Sequence, residues 1–186
     1  MTGPIPFGSR IAIIGPSNSG KSTLAYTMGR AFNLPVYPLD QYAHVPNSAW
    51  IRRPENEFAE DHRQLIAKES WIIEGNYGFL MPDRFHRATT IIWLDPSPTF
   101  VMLRYLINRF IKPMDHRHGQ LQGGSQTISW GLVRFTLFQY PKNRMQYRHY
   151  LSDIPPDRII HLTSLRQISD FYKKIGLIPN IKKTSE

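Results

Sequence analysis

Cysteine is absent from the 186 residues. Its absence excludes a disulfide framework, a thiolate metal centre and a cysteine nucleophile, and it suits a cytoplasmic protein. Long apolar runs are missing as well, since no stretch approaches the ~20 residues needed to cross a bilayer. The opening MTGPIPFGSR has neither the basic start nor the apolar segment of a secretory leader. The expectation is therefore a cytoplasmic protein with no membrane partner. Acidic residues are few, 14 against 23 basic ones, for a formal net charge of +9. Such an excess suits either a nucleic-acid partner or polyanionic substrates, and the placement of the charge must decide between them. Internal repeats are lacking, and the length fits one domain spanning 1–186.

What is present is a regular alternation of short apolar runs and amphipathic segments. RIAIIG, residues 10–15, is β-branched and closes on glycine, the pattern of a buried parallel strand. LPVYPLD predicts a second strand ending at Asp40, SWIIEG a third closed by Gly75, TTIIWLD a fourth ending at Asp95, and DRIIHL a fifth. Helical spacing marks 21–32 and about 55–69, the latter with Phe58, His62, Leu65 and Ile66 along one side. It also marks Pro98 to about Ile111, a long region 128–151 kinked at Pro141, and the segment SLRQISDFYKKIG. Residues 41–54 read as a loop, 112–126 as a polar, glycine-rich lid, and 179–186 as a flexible tail.

The strongest local signal is GPSNSGKST, running Gly15, Pro16, Ser17, Asn18, Ser19, Gly20, Lys21, Ser22, Thr23. A glycine, four residues and Gly-Lys-Ser, after a strand and before a helix, make a phosphate-binding loop. Its glycines let backbone N–H groups converge on phosphate oxygens, and the helix start adds positive dipole. Lys21 is placed to reach the β- and γ-phosphates, and the Ser22 hydroxyl to ligate Mg²⁺. Loop and alternation together predict an α/β, three-layer P-loop NTPase fold. A five-stranded parallel sheet is flanked by helices, with a small helical lid region.

Ligands in such sheets sit beyond the carboxyl ends of the strands, which directs attention to the strand-ending residues. Asp40 there can orient Mg²⁺ or accept a proton from a substrate hydroxyl. Asp95 can do the same, or cap the helix opened by Pro96 and Pro98. In EGNY, Glu74 ends a strand, Asn76 can read a polar substrate, and Tyr77 can stack or donate a hydrogen bond; a satisfied turn is the alternative. Tyr42 and Trp50 are candidates to line an acceptor pocket or to cover the edge of the core. Arg84 either holds an acceptor phosphate or pairs with Asp83 on the surface.

Arg104, Arg109 and Arg117 flank or occupy the candidate lid, and arginine's planar, charged fork suits a transferring phosphoryl. Arg104 and Arg109 lie about 140° apart on a regular helix, so both cannot point straight inward. Arg134, Arg144 and Arg148 fall within a quarter turn of one another, either a nucleic-acid stripe or a solvated basic face. His116 and His118 in DHRHG lack a third ligand at metal-binding spacing.

Taken in order, RIAIIGPSNSGKSTLA, LPVYPLD, WIIEGNY and TIIWLD resemble the adenylate-kinase-like P-loop proteins known as DNA topology modulation proteins (FlaR-like). The similarity is specific over the first 95 residues and looser to about 165. It implies a five-stranded parallel core, an acceptor-side helical segment and an arginine-bearing lid. It also implies ATP and Mg²⁺ at Gly15–Thr23, with Asp40 near the metal or the acceptor. Adenylate kinase substrate motifs are absent. The function expected is an ATP-dependent kinase acting on a nucleotide or small hydroxylated metabolite of unknown identity. The alternative is a P-loop ATPase whose nucleotide cycle gates nucleic-acid binding.

Overall fold

The computed structural model describes residues 7–46, 48, 51–111 and 139–177. Five parallel strands form one sheet: β1 (Arg10–Ile14), β2 (Val36–Pro38), β3 (Trp71–Glu74), β4 (Thr90–Leu94) and β5 (Ile159–Leu162). Their spatial order is β2-β3-β1-β4-β5, so the strand that feeds the phosphate loop is central. Ile11, Ala12, Ile13 and Ile14 are fully buried, as a strand covered on both faces requires.

Side chains alternate across the sheet and divide the interior in two. Ala12, Ile14, Trp71, Ile73, Ile91 and Trp93 face a core roofed by α2 (Leu39–Ala43), α3 (Glu55–Ala67), α4 (Met81–Arg87) and α6 (Tyr140–Leu151). Ile11, Ile13, Ile72, Ile92 and Leu94 face the other core, closed by α1 (Lys21–Phe32) and α7 (Leu165–Lys174). The α3 residues that turn inward are Phe58, His62, Leu65 and Ile66, as the helical spacing predicts. The remaining helix, α5 (Pro98–Ile111), follows β4. Among the described residues no helix is long and apolar enough to cross a membrane.

The structure departs from the sequence expectation in three places. Strand β2 stops at Pro38, paired with Glu74, and Asp40 belongs to the first turn of α2 instead of ending a strand. The early turn places Leu39 in the core under Gly75, where its side chain is fully removed from water. The predicted 41–54 loop is partly ordered, with Val45 N–H donating to Ile51 and Arg53 N–H to Ala43, either side of a His44–Arg52 antiparallel bridge. Helix α4 has no counterpart in the sequence reading, and Pro82 in MPDRF is compatible with its start. Placed in the first turn, it has no intrahelical acceptor to forgo. Pro141 likewise stands in the first turn of α6, and residues 128–138 of the long region expected to kink there lie outside the described residues. The candidate lid 112–126, His116 and His118, Trp50 and the 179–186 tail lie outside the described residues.

Candidate active site

The phosphate loop begins where β1 emerges between β3 and β4. Gly15 has φ 147°, and a Cβ there would collide with the Leu94 carbonyl, so only glycine leaves the strand at this angle. Asn18 at φ 61° and Gly20 at φ 100° complete the reversal into α1. The start of α1 has no side-chain cap and no acidic residue in its first turn, leaving its N–H groups and dipole for an anion. Lys21 Nζ donates to the Pro16 carbonyl at 3.0 Å, which holds the ammonium inside the curve of its own loop.

Two residues of EGNY are joined to this loop. The Ser22 hydroxyl donates to Glu74 Oε1 at 2.9 Å. Burial raises the Glu74 carboxyl above its ordinary range, against the opposing pull of Lys21 and the Ser22 hydrogen bond. A hydroxyl beside a buried carboxylate is the oxygen donor set that a hard cation such as Mg²⁺ takes. Asn76 accepts from Gly15 N–H at 3.0 Å and donates to the Gly15 carbonyl at 2.6 Å. Both ends of its amide thus hold the loop, and the residue also borders the cavity beyond the strand ends.

Beyond the strand ends lies a cavity of about 540 Å³. Ser17 and Lys21 form its phosphate-loop side and Glu74 to Gly78 its floor, with Asp40 on one wall. Tyr77 donates to Asp40 Oδ1 at 2.7 Å, and burial together with that carboxylate raises the phenol well above its usual range. The pair holds one carboxylate, in a fixed orientation, inside the same cavity as the loop lysine. Nothing in the sequence reading pointed to His44, Arg52, Asn143, Gln146 or Tyr147, which complete the lining. The last three recur at helical spacing on α6, a signal that the nearby arginines obscured.

Other expectations are corrected. Of the two roles open to Tyr42, the structure shows the second: it is absent from the cavity lining and packs half-buried on the edge of the core beside Tyr37. Arg84 is fully buried instead of pairing with Asp83 at the surface, and it lies behind the cavity wall, donating to the Gly75 carbonyl at 2.9 Å. Burial lowers its pKa to about 10, with Glu74 opposing the shift, so it remains a cation at neutral pH. Asp95 neither caps α5 nor stands open to a metal. Its side chain is fully buried, accepting from Tyr140 at 2.8 Å, from Arg144 at 2.7 and 3.1 Å, and facing His161 Nε2 at 3.0 Å. This turns Arg144 out of the anticipated basic stripe, while Arg148 stays exposed and Arg134 lies outside the described residues.

Arg104 is carried by α5 to the base of the loop, its guanidinium 3.4 Å from where a Cβ on Gly20 would stand. Burial lowers its pKa. The Arg109 side chain and the whole of Arg117 lie outside the described residues.

No protein-family model and no curated protein matches the chain. Solved structures do resemble it. The shikimate kinase of Bacteroides thetaiotaomicron is 19% identical, with 91% of this chain and 99% of that chain covered at a TM-score of 0.54. The shikimate kinase of Acinetobacter baumannii, solved in complex with shikimate, is 13% identical over 90% of each chain at 0.55. A gluconokinase of Sinorhizobium meliloti is 15% identical over 91% of this chain and 90% of that one at 0.52. At such identities the likeness defines the fold, and the fold is that of the P-loop kinases.

Proposed function

We propose that the protein is an ATP-dependent kinase that transfers the γ-phosphoryl group to a hydroxyl of a small molecule. The observation that carries this reading is the shared cavity: Lys21 and the Tyr77-oriented Asp40 face one space large enough for a metabolite. Residues 15–23 bind the ATP phosphates through backbone N–H groups, and Lys21 spans the β- and γ-groups. Ser22 and Glu74 would hold Mg²⁺, which offsets phosphate charge when bound. Asp40 receives the proton of the acceptor hydroxyl as its oxygen bonds to the γ-phosphorus. The bond from that phosphorus to the β–γ bridging oxygen breaks, and ADP leaves with the electron pair.

Arg104 lies against the loop and adds positive charge beside the phosphates; Arg109 and Arg117 are proposed to close over them from the lid. Asn76 shapes the loop through Gly15 and borders the acceptor space. Arg84, from behind the wall, fixes the Gly75 turn. The order of motifs over residues 10–95 supports placing the chain among the adenylate-kinase-like, FlaR-like proteins. The nucleic-acid reading is the weaker one, since one of the three arginines behind it, Arg144, is held by Asp95.

The test is ADP formation from Mg-ATP across nucleoside monophosphates, nucleosides, shikimate and gluconate, for the wild type and Lys21→Ala. Acceptor-dependent turnover abolished in the variant is expected. Acceptor-independent hydrolysis alone would overturn the reading.

A further inference from the structure

The charged and amide groups around the cavity are mostly engaged already. Asp40 accepts from Tyr77, Glu74 from Ser22, Lys21 donates to Pro16 and Asn76 holds Gly15. Asn143 accepts from Gln139 at 3.2 Å, and Gln146 donates to Tyr150 at 2.6 Å. Arg52 differs. It lines the cavity and is exposed, and no hydrogen bond or ion pair joins its side chain to any described residue.

Its position is built into the chain. The antiparallel bridge pairs His44 with Arg52, and residues paired across such a bridge share one face, whereas successive residues alternate. His44 and Arg52 accordingly both line the cavity. Arg53 turns the other way, onto Asp61 at 2.5 Å and Glu57 at 3.4 Å. Two adjacent arginines are therefore sorted by the period of an extended segment. One is neutralised by α3 and the other presents an unopposed guanidinium to the cavity. Arg52 also lies close enough for its charge to act on the Tyr77 hydroxyl, which puts it on the Asp40 side of the space.

We propose that Arg52 anchors an oxyanion on the phosphoryl acceptor, so that the acceptor is a hydroxylated acid, bearing a carboxylate or a phosphate, and not a neutral alcohol. The inference rests on the kinase reading for the name acceptor, but the anion site itself does not depend on it. A guanidinium presents a planar fork that matches either oxyanion, and the pairing is charge-assisted. The hydroxyl to be phosphorylated then points to Asp40 and the loop, while the acidic end is held at Arg52.

The experiment compares matched acceptors, gluconate with glucitol and glucose 6-phosphate with glucose, for the wild type, Arg52→Ala and Arg52→Lys. In the pair that is used, the anion is expected to be preferred at least tenfold in kcat/KM. Arg52→Ala should raise its KM roughly tenfold to a hundredfold, leave the KM of ATP within twofold, and spare the neutral partner. Arg52→Lys should recover part of the loss. The responding pair distinguishes carboxylate from phosphate. Equal use of neutral partners, or a preference untouched by Arg52→Ala, overturns the proposal.

Calorimetric titration of gluconate and inorganic phosphate into the Mg-ADP-loaded protein separates the two readings. Arg52-dependent anion binding without turnover of any acceptor would keep the anion site and reject the kinase. No Arg52-dependent binding of either anion rejects the anion site, whatever the turnover.

Discussion

The side-chain amide of Asn76 closes on both backbone groups of Gly15, taking its N–H at 3.0 Å and giving a hydrogen bond to its carbonyl at 2.6 Å. Strands β1 and β3 run parallel up to this level, with Ile13 opposite Glu74. Asn76 thus prolongs the ladder by a side chain where the backbone has turned away, and it joins the cavity floor to the mouth of the phosphate loop.

Replacing Asn76 with Asp keeps the acceptor oxygen and removes the donor, setting a carboxylate against the Gly15 carbonyl. One lost hydrogen bond of about 1 kcal/mol corresponds to a roughly fivefold weaker Mg-ADP complex, measurable by calorimetry. Unaltered affinity would mean that the loop holds its shape without the clamp.

Asp40→Asn should lower kcat by roughly two to four orders of magnitude, the usual contribution of a general base. Tyr77→Phe removes only the group that orients it and should cost about tenfold in kcat, with the KM of ATP unchanged. Equal losses in steady-state kinetics would transfer the proton-handling role to Tyr77.

Arg104→Ala tests the cation beside Gly20. A group that acts on the developing charge of the transferring phosphoryl should, when removed, reduce kcat by about two orders of magnitude while the KM of ATP changes little. A rise confined to KM would make Arg104 a ground-state nucleotide contact.

Asp95→Asn leaves Arg144 without its carboxylate. Arg144 is about one-third exposed, 32%, so water relieves part of the penalty, and a loss of about 2 kcal/mol is expected in urea unfolding. A change under 0.5 kcal/mol would show that α6 is held by its apolar face alone.

His62 supplies a pH dependence. It is fully buried, neither ring nitrogen has a partner among the described residues, and burial, helped by the nearby Arg84 charge, lowers its pKa from 6.5 to about 3. The unfolded chain therefore binds a proton below pH 6.5 that the folded one refuses. Stability from this group is complete above pH 6.5 and falls as pH drops toward 3, by about 1.4 kcal/mol per unit at most. Denaturation of His62→Leu between pH 7 and 4 should show a shallower decline than the wild type. Parallel declines would count against a neutral buried imidazole.

The fold was legible because its determinants are local. RIAII and TIIWL are apolar on both faces, as a sheet covered on two sides demands, and the glycine loop marks the crossover. The candidate site was legible where it coincides with a motif, at residues 15–23 and in EGNY. It was illegible where a residue's role depends on what lies across space. Asp95 reads equally as a cap or a ligand until Tyr140, Arg144 and His161, all distant in sequence, converge on it. Asp40 looked like a strand end because the tendency of Leu39 to bury itself cannot be weighed against strand extension without the neighbouring Gly75. Arg52 and Arg53 are indistinguishable as letters and separate only through the pairing with His44.

Helix α6 divides its circumference among three tasks. Tyr140, Tyr147 and Leu151 enter the core, Arg144 grips Asp95, and Asn143 and Gln146 face the cavity, where an edge of Tyr147 joins them. Attachment and the lining of the cavity thus rest on different residues of one rigid rod. Positions 143 and 146 can drift, or be redesigned, to reshape the cavity while the bolt at Asp95 stays tight. A lineage could diversify its chemistry there without first risking its fold.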